Sequence, residues 1–249
     1  MAVQQESRRE AKSRMPQHPS GIHDPSASIT AKQESSTLFD DALDDLYTYE
    51  SNRGAMRDVV DKAGNTVGDY HITKEVMNTY RIDPNLPEKQ RAMLVLEGIK
   101  KQLVNGTVLD EKLNKPPIPG FDFEMLTHSE KVATLTFLYN AGEYQPKFRK
   151  ALGHLTRARA SGDQRFVEDL RKTAAGFMDV YKDKESGPNY GLSKRRHAEK
   201  DTFLNGSKAV HPTKIKLSFK DAETSILAGR EYGTETLGNY EAHITKGLM

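Results

Sequence analysis

Glu50, Asp58, Asp61, Thr66 and Asp69 fall within one short stretch, TYESNRGAMRDVVDKAGNTVGDYHIT, residues 48–73. A carboxylate at a helix end and a second at a nearby turn can face each other across a cleft. That arrangement supplies a general acid and a general base for breaking a glycosidic bond. Spacing alone does not select this chemistry, because the chain holds 35 acidic residues and most acidic clusters are solvated faces. The elements that carry these groups decide whether they meet.

Leu38, Phe39, Ala42, Leu43, Leu46 and Tyr47 recur at helical spacing with acids on the opposite face, which predicts a helix ending near Glu50. Residues 53–73 read as a β-hairpin, with β-branched RDVV before a turn at Asp61–Asn65 and TVGDYHIT after it. Residues 87–104 read as a second helix closing at Asn105-Gly106, and Pro116, Pro117 and Pro119 force an extended connection. Thr127 to Glu130 has capping-box spacing before VATLTFLYNAG, which is apolar nearly all round and predicts a buried central helix. Helical patterns follow at 146–160, 164–181 and 192–204; KIKLSF then alternates like a strand, and the remainder is polar and glycine-containing.

Composition bounds the alternatives. The chain has 249 residues, 36% of them hydrophobic, with a formal net charge of +2 that gives no global drive to bind nucleic acid. The absence of cysteine excludes disulfides, cysteine nucleophiles and thiolate metal sites. No apolar run approaches a membrane span, and MAVQQESRREAKSR lacks the apolar region of a secretory signal, so synthesis in a cytoplasm is expected. Residues 1–36 read as a polar tail ordered, if at all, by a partner; 37–206 as the main domain; 207–249 as a C-terminal extension suited to docking.

The order of several motifs across residues 38–204 resembles the bacteriophage-type lysozymes, glycoside hydrolase family twenty-four. Glu50-Ser51-Asn52-Arg53 matches the helix end with its glutamate and arginine. Asp61-Lys62-Ala63-Gly64, Thr66 and Gly68-Asp69-Tyr70-His71 match the hairpin, TLTFLYNAGEY the apolar central helix, and GLSKRRHAEKDTFL the basic closing helix. The resemblance implies an α+β fold, a small β-hairpin lobe beside a mostly helical lobe around the buried central helix. It further implies a muramidase cleaving the β-1,4 bond between N-acetylmuramic acid and N-acetylglucosamine. Glu50 would protonate the leaving oxygen, while Asp61 with Thr66 would position the attacking water, an inverting arrangement needing carboxyls about 6.5–9.5 Å apart.

The aspartate assignment stays open. Asp61 keeps the Asp-x-x-Gly turn and lies nearer Thr66 but stands further from Glu50 than the family spacing, whereas Asp58 stands closer. Asp69 adds a carboxylate beside the expected cleft, which either raises a neighbouring pKa or marks a remodelled site. Arg53 and His71 are supporting residues in this reading, Asn140 is a helix cap or a sugar contact, and Tyr144 is a sugar-stacking candidate. Phe137 and Tyr139 read as core. Lys194, Arg195, Arg196 and Lys200 read as a solvated basic face or as part of the closing-helix motif rather than a nucleic-acid patch. No metal or organic cofactor is required. The expected partners are peptidoglycan and, through the terminal segments, tail or other virion proteins, in a phage particle acting on the host wall. A free lysis enzyme and a non-catalytic virion protein are the alternatives.

Overall fold

In a computed structural model, the described residues are 25–50, 59–60, 66–67, 69–105, 118, 120–142, 145–179, 182–183, 187–188, 190–210, 214–215 and 219–246. They hold eight α-helices: α1 (Pro25–Glu50), α2 (Lys74–Tyr80), α3 (Glu88–Asn105), α4 (His128–Ala141), α5 (Pro146–Ala160), α6 (Gln164–Phe177), α7 (Tyr190–Asn205) and α8 (Phe219–Lys246).

The central helix forms for the reason its sequence suggests. Thr127 Oγ1 accepts from the Glu130 N–H at 3.3 Å and Glu130 Oε2 accepts from the Thr127 N–H at 2.9 Å, which closes a capping box. Every residue from Val132 to Leu138 is then buried, and α1, α3 and α7 surround α4. Phe137 packs edge-on against Phe148 of α5 at 4.8 Å between ring centroids.

Glu130 does more than cap. Its fully buried carboxylate also accepts from Arg159 Nη1 and Nη2 at 2.6 and 2.8 Å and from Arg171 Nε at 2.7 Å. Arg171 Nη2 continues to the Phe203 carbonyl at 3.2 Å, so one carboxylate links the start of α4 with α5, α6 and the end of α7. Burial pushes this carboxyl up, but the Arg159 hydrogen bonds, the Thr127 N–H and Arg171 together hold it below the usual carboxylate range.

The expected α+β architecture with a β-hairpin lobe is corrected: the described residues form a helical protein. Strand pairing among them is limited to two ladders, β1 (Val59–Val60) with β2 (Thr66–Val67) and β3 (Lys182–Asp183) with β4 (Gly187–Pro188). Two residues per strand offer no apolar face large enough to sustain a lobe. The expected second strand, TVGDYHIT, stops at Val67 because core contacts take over. Tyr70 and Ile72 are buried, the Tyr70 N–H donates to Glu88 Oε1 at 2.8 Å, and Tyr139 Oη donates to the Tyr70 carbonyl at 2.8 Å. His71 between them adopts a left-handed conformation, φ 50°.

The C-terminal region also differs from its expected form. Residues 216–218 of the expected strand lie outside the described residues, and the polar remainder from Phe219 is the 28-residue α8. Among its described side chains, the apolar contacts lie at Leu237, Tyr240 and Ile244, a helical stripe facing α6 and α5. Gly233 permits the close approach, since a Cβ there would stand 2.9 Å from Phe177 Cζ. At the other end, α1 starts at Pro25, within the stretch read as a tail, and α6 stops at Phe177, short of the expected 181. No helix among the described residues is long and apolar enough to cross a membrane.

Candidate functional site

Glu50 is the last residue of α1, as the apolar periodicity predicts. Thr66 lies on β2, opposite Val60 of β1. The register of this ladder puts the chain on both sides of Asp61 into antiparallel pairing. Asp58, Asp61, Arg53 and Tyr144 lie outside the described residues.

The helix that presents Glu50 is held firmly. Leu43 and Leu46 are fully buried, and Tyr49, one residue before the glutamate, is 6% exposed. Tyr49 Oη shares a 3.4 Å hydrogen bond with Thr202 Oγ1 of α7, and the Arg195 guanidinium sits 5.4 Å from its ring centroid. Burial, with the Asp45 charge next, holds the Tyr49 phenol well above its usual range, so it stays protonated.

Behind Tyr49 lies a buried ionic cluster. Glu199 of α7 accepts from Arg195 Nε at 2.8 Å and from Arg196 Nη1, while Arg196 Nη2 donates to Asn140 Oδ1 at the end of α4. Arg196 also lies 4.9 Å over the Phe137 ring. These contacts correct the solvated-face reading of the closing helix: Arg195 and Arg196 are 4% and 2% exposed, and Lys200 pairs with Asp179 at 2.7 Å. The physical reason is the i,i+3 and i,i+4 spacing to Glu199, which lets both guanidiniums enter the interior with their counter-ion. Asn140 is not the helix cap, a role taken by Gly142 at φ 78°. Its side chain instead joins α4 to α7. His71, at its left-handed turn, stands next to the Tyr70 backbone that Tyr139 and Glu88 secure. Phe137 is core, as expected, and Tyr139 is partly buried against it.

Sequence reasoning passed over Asp45. It belongs to the DDALDD run, but its spacing from Ala42 and Tyr49 is i+3 and i−4, so it borders the buried face while Asp41 and Asp44 stay exposed. Burial pushes its carboxyl up to about 7; the Ala209 N–H works against this, and the Asp41, Asp44 and Glu199 charges add to it. Asp45 borders a cavity of about 340 Å³ between α1, the start of α4 and the chain after α7, with Thr48, His128, Ser129 and Thr202 among its walls. Asp41 at its rim lies 2.7 Å from His128 Nε2. A carboxyl titrating near neutrality can give or take a proton there.

No three His, Asp or Glu side chains converge to hold a metal among the described residues. No protein-family model, no curated protein and no solved structure matches the chain.

Proposed function

We propose that the protein is a muramidase that hydrolyses the bond between N-acetylmuramic acid and N-acetylglucosamine in peptidoglycan, carried in a phage particle to help genome delivery through the cell wall. The observation that carries this reading is the position of Glu50. It ends an α-helix anchored by Tyr49, Leu46 and Leu43 to α4 and α7, and a short antiparallel ladder bearing Thr66 follows it in the chain. A proton donor on a helix terminus, with a threonine on the ladder that follows and aspartates in the same stretch of sequence, is the equipment that general-acid cleavage of a glycoside requires.

In this mechanism Glu50 protonates the leaving oxygen and must keep its proton near neutral pH, as a partly desolvated carboxyl does. Asp61, or Asp58 in its place, activates the water with Thr66 and offsets the positive charge that develops on the sugar ring. Arg53 and His71 support the charge network. Asn140 and the α7 arginines act at a distance by fixing α4 against α7, behind Tyr49. The polar terminal segments supply attachment to tail or other virion proteins. A non-catalytic virion protein is the second reading, favoured by the turn at Asp69–His71, which departs from the strand that the resemblance implies.

The test is digestion of purified peptidoglycan, with new reducing ends followed by mass spectrometry for wild type and for Glu50→Gln, Asp61→Asn, Asp58→Asn and Asp45→Asn. Muramic-acid ends that fall at least about a hundredfold in Glu50→Gln support the enzyme. The aspartate variant with the larger loss identifies the partner of Glu50, and loss in Asp45→Asn but not Glu50→Gln moves the acid to the Asp45 cavity. Folded wild-type protein that releases no such ends from several wall types leaves the non-catalytic reading.

A further inference from the structure

A second cavity, of about 600 Å³, opens where the α5–α6 turn meets α8, and nothing in the muramidase reading uses it. That volume is in the range of small-molecule sites, about 300–1,000 Å³. Its charged and polar walls are Arg157, Asp163, Arg165, Tyr240 and His243.

The carboxylate in this set is already occupied. Asp163 Oδ1 accepts from Arg165 Nε at 3.1 Å, and Asp163 Oδ2 lies 2.8 Å from His243 Nε2. Arg165 Nη2 also approaches His243 Nε2 at 3.3 Å. Two guanidiniums against one carboxylate leave the cavity positive whatever the state of His243. Arg157 is the uncompensated charge, because it makes no side-chain hydrogen bond or ion pair among the described residues. Its stem is nonetheless positioned, since Arg157 Nε stands 3.4 Å from where a Cβ on Gly120 would be.

Tyr240 supplies an independent observation. It is 1% exposed, with His154 and Phe166 edge-on to its ring at 5.0 and 5.2 Å between centroids. Its hydroxyl makes no side-chain hydrogen bond among the described residues and is not one of the oxygens sealed from solvent without a partner, so it opens to the cavity that the residue lines. A largely buried phenol whose hydroxyl opens to a cavity that an uncompensated guanidinium also lines is an arrangement that an anion completes. The positive end of α6, which starts at Gln164, adds to the same field.

We propose that this cavity binds a phosphate ester of a small molecule, with Arg157 and Arg165 on the phosphate oxygens and the Tyr240 hydroxyl donating to one of them. Donors from three separate helices suit a tetrahedral group better than a planar carboxylate, for which one guanidinium fork suffices. The space beyond the phosphate takes a group of sugar size.

Titration of the full chain with inorganic phosphate and with glucose 1-phosphate, followed through the His243 and Tyr240 ring resonances, tests the assignment. Saturable shifts with a Kd at or below about 1 mM for the sugar phosphate are expected. Arg157→Gln, an exposed position, should weaken binding at least about tenfold and Tyr240→Phe by a few-fold, with glucose itself giving no shift. Tighter binding of glucose 1-phosphate than of phosphate places the sugar in the cavity, whereas equal binding reduces the site to a bare phosphate-group pocket. Shifts that do not saturate by about 10 mM, or an affinity unchanged in folded Arg157→Gln, overturn the proposal.

Discussion

Glu130 and Asp45 are carboxylates at the two ends of one packing problem, the seating of α4 and α1, and they respond oppositely to burial. Glu130 is fully buried and Asp45 only half-buried, yet Glu130 is held below its usual range while Asp45 rises to about 7. The depth of burial therefore does not set the charge. Glu130 meets Arg159 and Arg171, and Asp45 meets one backbone N–H and three further carboxylates. Desolvation raises both, and at Glu130 two guanidiniums with the Thr127 N–H reverse the sign, which the single Ala209 N–H at Asp45 does not.

The largest expected effect comes from breaking the satisfied site. Glu130→Gln leaves the Arg159 guanidinium partly buried without a counter-ion and Arg171 with only the half-exposed Glu168, 3.6 Å away, and should destabilise the fold by about 3–5 kcal/mol, read as a lower urea midpoint. A loss below about 1 kcal/mol would mean that Arg159 and Arg171 find other partners easily, and that Glu130 is not the joint between α4, α5 and α6.

Asp45→Asn sharpens the comparison through its pH dependence. A carboxyl with a folded pKa raised to about 7 contributes stability that is present in acid and lost as pH rises towards 7. Glu130, with a lowered pKa, contributes stability present above the normal glutamate range and lost as pH falls. The asparagine variant should therefore match wild type near pH 4 and exceed it by about 2–4 kcal/mol at pH 8. Thermal melts across that range check this, and equal pH slopes for variant and wild type would remove Asp45 as the titrating group.

The smallest effect is expected at the rim. Asp41 and His128 form a 2.7 Å pair, but both side chains are more than half exposed. Solvent competes with each, and His128→Asn should change stability by less than about 0.5 kcal/mol in chemical denaturation. A larger change would show that the rim pair holds the Asp45 cavity together.

Much of the scaffold was legible because its signals are local. The Thr127–Glu130 capping box, the apolar run to Leu138 and the close of α3 at Asn105-Gly106 each act within a few residues. The helix end at Glu50 belongs with these, because the Leu38-to-Leu46 stripe fixes the phase of α1. The candidate site was legible only as residue types. Asp45 was hidden because its acidic neighbours made the whole run look solvated, and Arg195 and Arg196 were hidden because a basic run has no visible counter-ion until Glu199 is counted at helical spacing.

The sequence by itself determined where α3, α4, α5 and α7 begin and end, since capping and glycine act over one turn, and it turned Leu38 to Leu46 of α1 inward. It did not determine the start of α1 or the end of α6, and it put Tyr47, which is exposed, on the buried stripe in place of Tyr49. Only the tertiary structure decided that TVGDYHIT turns after Val67, where Tyr139 and Glu88 capture the Tyr70 backbone. It likewise decided that 219–246 is a helix, where α6 offers a surface for its apolar stripe, and which carboxylates are charged, where partners distant in the chain outweigh desolvation. In each case the deciding contact spans more of the chain than a local pattern can register, so its energy appears only when the chain is packed.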